Sequence, residues 1–255
     1  MNTLDAHDIT LVRAENPGPF TLSGTNTWIV GRDPCWVVDP GPALEAHLAA
    51  IEAQAGARGG AAGIVLTHDH DDHAEGAPEL AQRLRVRVAA TRARGAVRIS
   101  HGDEVGPFSV VATPGHAPDH VALVAGAVCF TGDAILGEGS VFIAPDPGAL
   151  SGYLGALERL RAMDLALLCP GHGPVVEDPD AKIGQYLSHR LDRERRVLAA
   201  LDAGRRSVDE LLDEVWDDAP AVLRPAAAVT LAAHLDRLEE EGRLPEGVER
   251  PKWPW

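Results

Sequence analysis

The chain has 255 residues, enough for one large domain or one domain with a small appendage. Its formal net charge of -15 argues against a surface built mainly to bind nucleic acid or an anionic membrane. The opening MNTLDAHDIT is acidic and has no apolar core, and no apolar run reaches about 18 residues, so we expect neither an export signal nor a membrane span.

The first half of the chain predicts strands followed by helices. Apolar runs punctuated by glycine and proline predict three strands, in ITLVRAENP, FTLSGTNTWIVG and CWVVDPG. A helix is predicted over 43–55, where apolar residues share one face. The apolar run at 63–67 predicts a buried strand, so the histidine-rich residues that follow it should lie in a loop at its carboxyl end. Next come a helix opening at Pro78 and a short strand near 86–90.

The second block repeats this order. Strands are predicted in FSVVATPG, DHVALVAG and AVCFTGD, then a helix over about 148–162 and a strand in LALLCPGHG. Two blocks of strands, each followed by helices, predict two sheets packed face to face with helices outside. The three cysteines lie far apart in strand-like runs and are expected to be buried thiols of a cytoplasmic protein: Cys35, Cys129 and Cys169.

From about Ile183 the chain predicts only helices. Three of them, the second opened by a capping box of Ser207 and Glu210, precede GRLPEGVERPKWPW, which could form a short wing. We therefore divide the chain into a catalytic domain, 1–185, and a linker helix with a winged-helix-like module, 186–255. Residues 204–255 hold 7 basic and 12 acidic side chains, so we expect no binding of duplex DNA.

Residues 67–76, THDHDDHAEG, concentrate imidazole and carboxylate groups. His68 and His70 stand two apart on extended backbone, so both can face one metal ion. Asp72 and His73 lie where the chain turns toward the next helix and can face a second ion. A solvated acidic loop would not need three histidines. Four ligands cannot serve two metals, so the remainder should come from other strand ends, in the turns TPGH, FTGD and CPGHG, which carry His116, Asp133 and His172.

The set H-x-H-x-D-H, then His, Asp and His, resembles the metal-binding pattern of the metallo-β-lactamase superfamily over roughly the first 200 residues. NPGPFTLSGTNTWIVG, TPGHAPDHVAL, TGDAILGEG and PGHGPVVEDPDAKIGQYLSHR are similar to the β-lactamase-like-protein-2 branch, whose members include a metal-dependent endoribonuclease. The resemblance implies an α+β fold, the αββα metallo-β-lactamase sandwich, with two Zn(II) ions between the sheets. Mn(II) and Fe(II) also suit the ligands. It assigns His68, His70 and His116 to the first ion, Asp72, His73 and His172 to the second, and Asp133 to both.

Other polar residues receive secondary roles. The resemblance implies that Asp39 orients a ligand histidine, with capping of the Pro40 turn as the alternative. Asp69 stands where the branch often has an aromatic residue, and would change the charge at the rim of the pocket. His120 is expected beside the ligands. Four histidines are expected at the surface: His7, His47, His101 and His234. Tyr186, His189 and Arg190 are expected either at the pocket mouth or in helix packing.

Two metal ions lower the pKa of a bridging water from about 16 to about 7, which gives a hydroxide nucleophile at neutral pH. Asp72 and Asp133 are the predicted catalytic carboxylates, and the reaction is hydrolysis of a carbonyl or phosphoryl centre. The sequence leans to single-stranded RNA. An arginine-rich segment from Arg83 to Arg98 either steers the RNA backbone or is a solvated face that balances acidic neighbours. The alternative is a thioesterase of the glyoxalase-II-like or acyl-carrier type, which an apolar pocket of Phe20, Leu22 and Trp28 would support. Classical β-lactamase action is disfavoured because no export signal is expected. A non-catalytic regulator is disfavoured because all seven ligand positions are filled. We expect no membrane partner, and the oligomeric state is open.

Overall fold

The first of two sheets carries the histidine loop. The computed structural model describes residues 3–252, and within them six strands form this sheet in the order β1-β2-β3-β4-β5-β6. The strands are β1 (Ile9–Arg13), β2 (Asn26–Val30), β3 (Cys35–Val38), β4 (Ala61–Val65), β5 (Val88–Ala90) and β6 (Val97–Arg98). β1, β2 and β3 pair antiparallel, whereas β3 to β6 pair parallel. β4 is apolar in its second half because it is covered on both faces.

The second sheet has the order β11-β10-β9-β8-β7. Its strands are β7 (Glu104–Val105), β8 (Phe108–Ala112), β9 (Val121–Ala125), β10 (Val128–Gly132) and β11 (Leu167–Pro170). β7 to β10 pair antiparallel through short connections, and β11 joins β10 in parallel after a helical crossover.

Helices cover both outer faces. Their bounds are α1 (Glu45–Ala57), α2 (Asp71–Ala74), α3 (Ala77–Leu84), α4 (Ala149–Arg161), α5 (Pro179–Asp202), α6 (Val208–Val215) and α7 (Arg224–Glu240). α1 and α3 bury Leu48, Ile51 and Leu80 against the first sheet. α4 and α5 pack on the second sheet through Leu157 and Ile183. The αββα sandwich predicted from the sequence is confirmed.

Aromatic side chains fill the space between the sheets. The rings of Trp28 and Phe130 lie 6.2 Å apart, and those of Phe108 and Phe130 lie 5.6 Å apart, both edge to face. Each is at most 1% exposed. All three cysteines are buried free thiols, as expected.

The C-terminal helices have their own apolar core, formed by residues such as Val197, Leu211 and Leu235. The capping box of Ser207 and Glu210 is present at the start of α6. α5 begins at Pro179 and runs unbroken past 185, so the division between 185 and 186 stays a prediction. Residues 241–252, which cover the described part of the predicted wing, contain turns and no strand, and 253–255 lie outside the described residues. None of the described helices is long and apolar enough to cross a membrane.

Candidate metal centre

Seven histidine and aspartate side chains meet at one edge of the sandwich, although they come from four separate places in the sequence. They follow β4, β8, β10 and β11, whose carboxyl ends lie at that edge. The seven are His68, His70, Asp72, His73, His116, Asp133 and His172. Each of them lies in the turn or loop that follows an apolar strand. The strands are buried between other layers, so polar ligand groups collect in the loops at their ends.

One group consists of three imidazoles. His68 Nε2 lies 3.1 Å from His70 Nδ1, and His116 Nε2 lies 3.0 Å from the same atom. Four ligands at about 2.0–2.1 Å from a tetrahedral zinc ion are separated by roughly 3.3 Å, so this spacing suits a shared ion. Burial lowers the pKa of His116 to about 4, so its imidazole is neutral at pH 7, as a metal ligand must be.

A second group lies beside the first. His73 Nε2 and His172 Nε2 are 3.2 Å apart, and Asp72 Oδ2 lies 3.1 Å from His172 Nε2. Burial disfavours protonation of His172, but its contacts with Asp133 and Asp72 outweigh burial and raise its pKa to about 9. A metal ion that enters here therefore displaces a proton.

Asp133 faces both groups. Its Oδ1 lies 3.4 Å from His73 Nε2 and 3.5 Å from His172 Nε2, while its Oδ2 lies 3.6 Å from His116 Nε2. Burial opposes ionisation of Asp133, but the imidazoles of His73 and His172 prevail and hold its pKa well below the usual value. Among the described residues, Oδ1 of Asp133 is buried without a partner in hydrogen-bond geometry. A buried carboxylate oxygen with no donor is expected where a metal ion completes the site, so these residues fit a pair of divalent ions.

Hydrogen bonds to the far side of the rings fix the tautomers. His73 Nδ1–H donates to Asp39 Oδ2 at 3.0 Å. Thr67 donates to Asp39 from N–H at 2.8 Å and from Oγ1 at 2.7 Å, and the same Oγ1 lies 3.0 Å from His68 Nδ1. These bonds leave Nε2 of both histidines free to face the site. Asp39, in the left-handed region at φ 50°, thus supports His73 rather than the Pro40 turn.

His120 holds the backbone of Asp133. Its Nε2 accepts from Asp133 N–H at 3.0 Å, and its Nδ1–H donates to Thr113 Oγ1 at 2.7 Å.

Position 171 must be glycine, because a Cβ there would lie 2.5 Å from His73 Cε1 and 2.6 Å from Asp133 Oδ1. Gly171 belongs to the turn CPGHG, and its requirement for glycine comes from contacts with distant residues that no local pattern reports.

Two of the histidines expected at the surface are buried. His47 is 5% exposed and its Nε2 lies 3.0 Å from Thr27 Oγ1, directly behind Asp39, whose carbonyl accepts from Thr27. His234 is fully buried in α7. Isolated histidines show no periodicity, so burial could not be predicted for them. His7 and His101 are exposed, as expected.

A pocket of about 270 Å³ opens onto four of the seven residues: His70, Asp72, His116 and Asp133. The rest of its lining is largely apolar. Further lining comes from Phe20, Leu22, Leu136, Val141, Phe142, Trp216 and Leu223. Phe20 and Leu22 were predicted here, but Trp28 was wrongly placed, because it lies between the sheets. Phe142, whose ring lies 4.6 Å from that of His116, and the C-terminal module supply the walls that the sequence did not reveal.

The arginine-rich segment lies elsewhere. None of its six arginines lines the pocket, and Arg83 is held by Glu45 and Glu79. The three residues of α5 named in the sequence analysis take different roles. Tyr186 packs, with its hydroxyl accepting from Leu136 N–H at 3.0 Å, whereas His189 and Arg190 line the pocket.

Comparison with known proteins agrees with this geometry. The profile described as the metallo-beta-lactamase superfamily matches residues 20–98 and 94–172, and a beta-lactamase associated winged helix domain matches 207–253. The Drosophila melanogaster protein named Beta-lactamase-like protein 2 homolog is 33% identical, over 90% of this chain and 87% of that protein. The Aspergillus chevalieri protein named Atrochrysone carboxyl ACP thioesterase is 34% identical, over 82% of this chain and 73% of that protein. A solved structure of a beta-lactamase domain protein from Burkholderia ambifaria is 23% identical. The match covers 94% of this chain and 90% of that protein, with a TM-score of 0.78.

Proposed function

This chain belongs to the metallo-β-lactamase superfamily, and from that premise we propose that it is a two-metal hydrolase of acyl thioesters. The observation that carries the choice of substrate is the largely apolar pocket, whose lining includes Asp72 and Asp133. Such a pocket removes an acyl chain from water while placing its carbonyl at the polar end. The relative named as an ACP thioesterase supports the same substrate class.

We propose Zn(II) as the cofactor, with two ions per chain, because buried imidazoles and carboxylates at this spacing suit it. Mn(II) and Fe(II) remain compatible with the same ligands. His68, His70 and His116 would hold one ion, Asp72, His73 and His172 the other, and Asp133 both. When bound, the pair supplies a water of lowered pKa and polarises a substrate carbonyl.

The residues of this chain contribute position and a dry environment. Asp72 lines the pocket with 31% of its side chain exposed, so its carboxylate can orient the attacking water. Phe20 and Phe142, packed edge to face at 6.3 Å, shield the reacting carbonyl from bulk solvent. The leaving group of a thioester is a thiolate. Because the pKa of a thiol is about 8.5, it leaves without a dedicated proton donor.

Hydrolysis of single-stranded RNA, which the sequence favoured, is the second candidate. The resemblance to a branch with an endoribonuclease supports it. A polyanion needs concentrated basic groups, and the pocket has few, since the arginine-rich segment does not line it. Thioester hydrolysis therefore ranks first.

A side-by-side assay tests the choice. Zinc-loaded protein is offered a panel of acyl-pantetheine thioesters and a single-stranded RNA oligonucleotide, with Asp72→Ala as the blank. We expect thioester turnover that falls roughly a hundredfold or more in the variant, because a positioned carboxylate contributes that much to proton and water orientation. RNA cleavage that disappears in Asp72→Ala and weakens with salt, without thioester turnover, would promote the second candidate.

A further inference from the structure

Arg190 is a buried guanidinium on the wall of the pocket. It lies in the middle of α5, is 2% exposed and lines the same cavity as Asp72 and Asp133. The pocket therefore joins a metal-binding end to a buried positive charge.

Arg190 has no salt-bridge partner in the part of the chain that the structure describes. Within residues 3–252 no carboxylate lies within 4.0 Å of its guanidinium, and its Nε has no hydrogen-bond partner. Its Nη2 donates to Ser140 Oγ at 3.0 Å and to the carbonyl of Val141, both uncharged acceptors. The ring of Tyr153, 5.5 Å from Cζ, adds only a weak cation–π contact.

The other basic groups of the pocket differ. Arg193 is paired with both oxygens of Asp218 at 2.7 Å. Burial and the neighbouring arginines lower the pKa of His189 to about 4, so it is neutral at pH 7. Glu138 also lines the pocket, but it is exposed at the rim, where its charge acts on Lys182. Of the two arginines in the described pocket lining, Arg190 is thus the one without a salt-bridge partner.

A buried charge without a counter-ion is costly, and a ligand that supplies the counter-ion removes that cost. An arginine is suited to this role because its planar fork matches a carboxylate. Resting on the thioesterase function proposed above, we infer that Arg190 binds a carboxylate at the far end of the acyl group. The substrate class is then the half-thioester of a dicarboxylic acid, with the thioester at the metal-binding end and the free acid at Arg190.

Because Arg190 is buried, we expect it to contact the acyl part of the substrate and not the carrier arm. A carrier arm must lead to solvent, past exposed groups such as Phe20, which is 55% exposed. The enclosed part of the ligand is the acyl chain. The phosphate of a phosphopantetheine arm is the competing source of negative charge, so the test uses pantetheine thioesters without phosphate and repeats the measurement with phosphopantetheine thioesters.

The experiment compares carboxylate-ended and methyl-ended acyl-pantetheines of equal chain length, with the zinc-loaded full chain. We expect wild-type kcat/KM to favour the carboxylate-ended series roughly ten- to a hundredfold, the range of a charged hydrogen bond. Arg190→Met should remove the preference mainly through KM, and Arg190→Lys should keep part of it. Arg195→Met is the matched control, since Arg195 is on the same helix with 76% of its side chain exposed.

Binding is measured separately, because Arg190 also ties the segment of Ser140 to α5 and its variants could misfold. Calorimetry with wild-type protein and non-hydrolysable thioether analogues should show tighter binding of the carboxylate-ended member of each pair. Equal affinity for both members, a preference that persists in folded Arg190→Met, or an effect of Arg190 confined to phosphate-bearing thioesters would each overturn the inference. Absence of all thioester turnover would instead overturn the proposed function, while the binding comparison would still decide the role of Arg190.

Discussion

Replacing Asp133 by alanine is expected to abolish hydrolysis and to reduce the occupancy of both metal ions. Its two oxygens face the two imidazole groups at 3.4–3.6 Å, so one substitution removes a ligand and a compensating charge from both ions. A metal ion supplies several kcal/mol of transition-state stabilisation, and each 1.36 kcal/mol is tenfold in rate, so kcat/KM should fall roughly a thousandfold or more. Turnover and elemental analysis of protein purified without chelator measure the two effects.

His116→Ala is the informative comparison. His116 contacts His70 in the first group of imidazoles, so this variant should mainly lose the first ion and retain about one per chain. Asp133→Asn keeps the shape of the side chain and one carbonyl oxygen, and should fall between wild type and Asp133→Ala in metal content. Near-normal metal in both alanine variants would show that the ligand assignment is wrong.

Removing the metals is expected to lower the thermal stability of the chain strongly. The seven side chains come from loops after four strands in two sheets, so ions held by them would bind the folded state alone. An ion present at about a thousand times its dissociation constant adds about 4 kcal/mol, and 1 kcal/mol shifts Tm by roughly 2–4 °C in a protein of this size. For two ions we expect chelation to lower Tm by more than about 10 °C, as measured by calorimetry.

Two controls accompany the chelation experiment. Addition of zinc to the chelated protein should restore Tm, and the Asp133→Ala variant should show a much smaller shift on chelation. A wild-type Tm that does not respond to chelator, in a sample shown to have lost its metal, would contradict a role of the ions in tying the strand ends together.

The layers and the meeting of the seven side chains at one edge could be predicted because both depend on local pattern. Apolar runs ended by small-residue turns mark strands whose carboxyl ends gather at one edge, and His116, Asp133 and His172 occupy three such turns. The αββα arrangement followed from the order of strands and helices. The resemblance added the grouping of ligands and the place of Asp39.

The pocket could not be predicted in the same way. All residues of β2 are buried, so an alternation of apolar and polar residues cannot show which face of the sheet Trp28 occupies. It packs between the sheets instead of lining the pocket. Phe142 and Trp216 meet there from segments separated by a long stretch of chain, which no local pattern reports. Arg190 lies in a helix rich in arginine, so only the structure distinguishes its unpaired, buried charge from the paired charge of Arg193.

The central claim, that this chain holds two divalent ions between its sheets, is tested most directly by anomalous scattering at the zinc edge from crystals grown with zinc. The account predicts two peaks per chain, one among the nitrogens of His68, His70 and His116 and one among Asp72, His73 and His172, with Asp133 contacting both. A single peak at full zinc occupancy, or two peaks away from these residues, would contradict it.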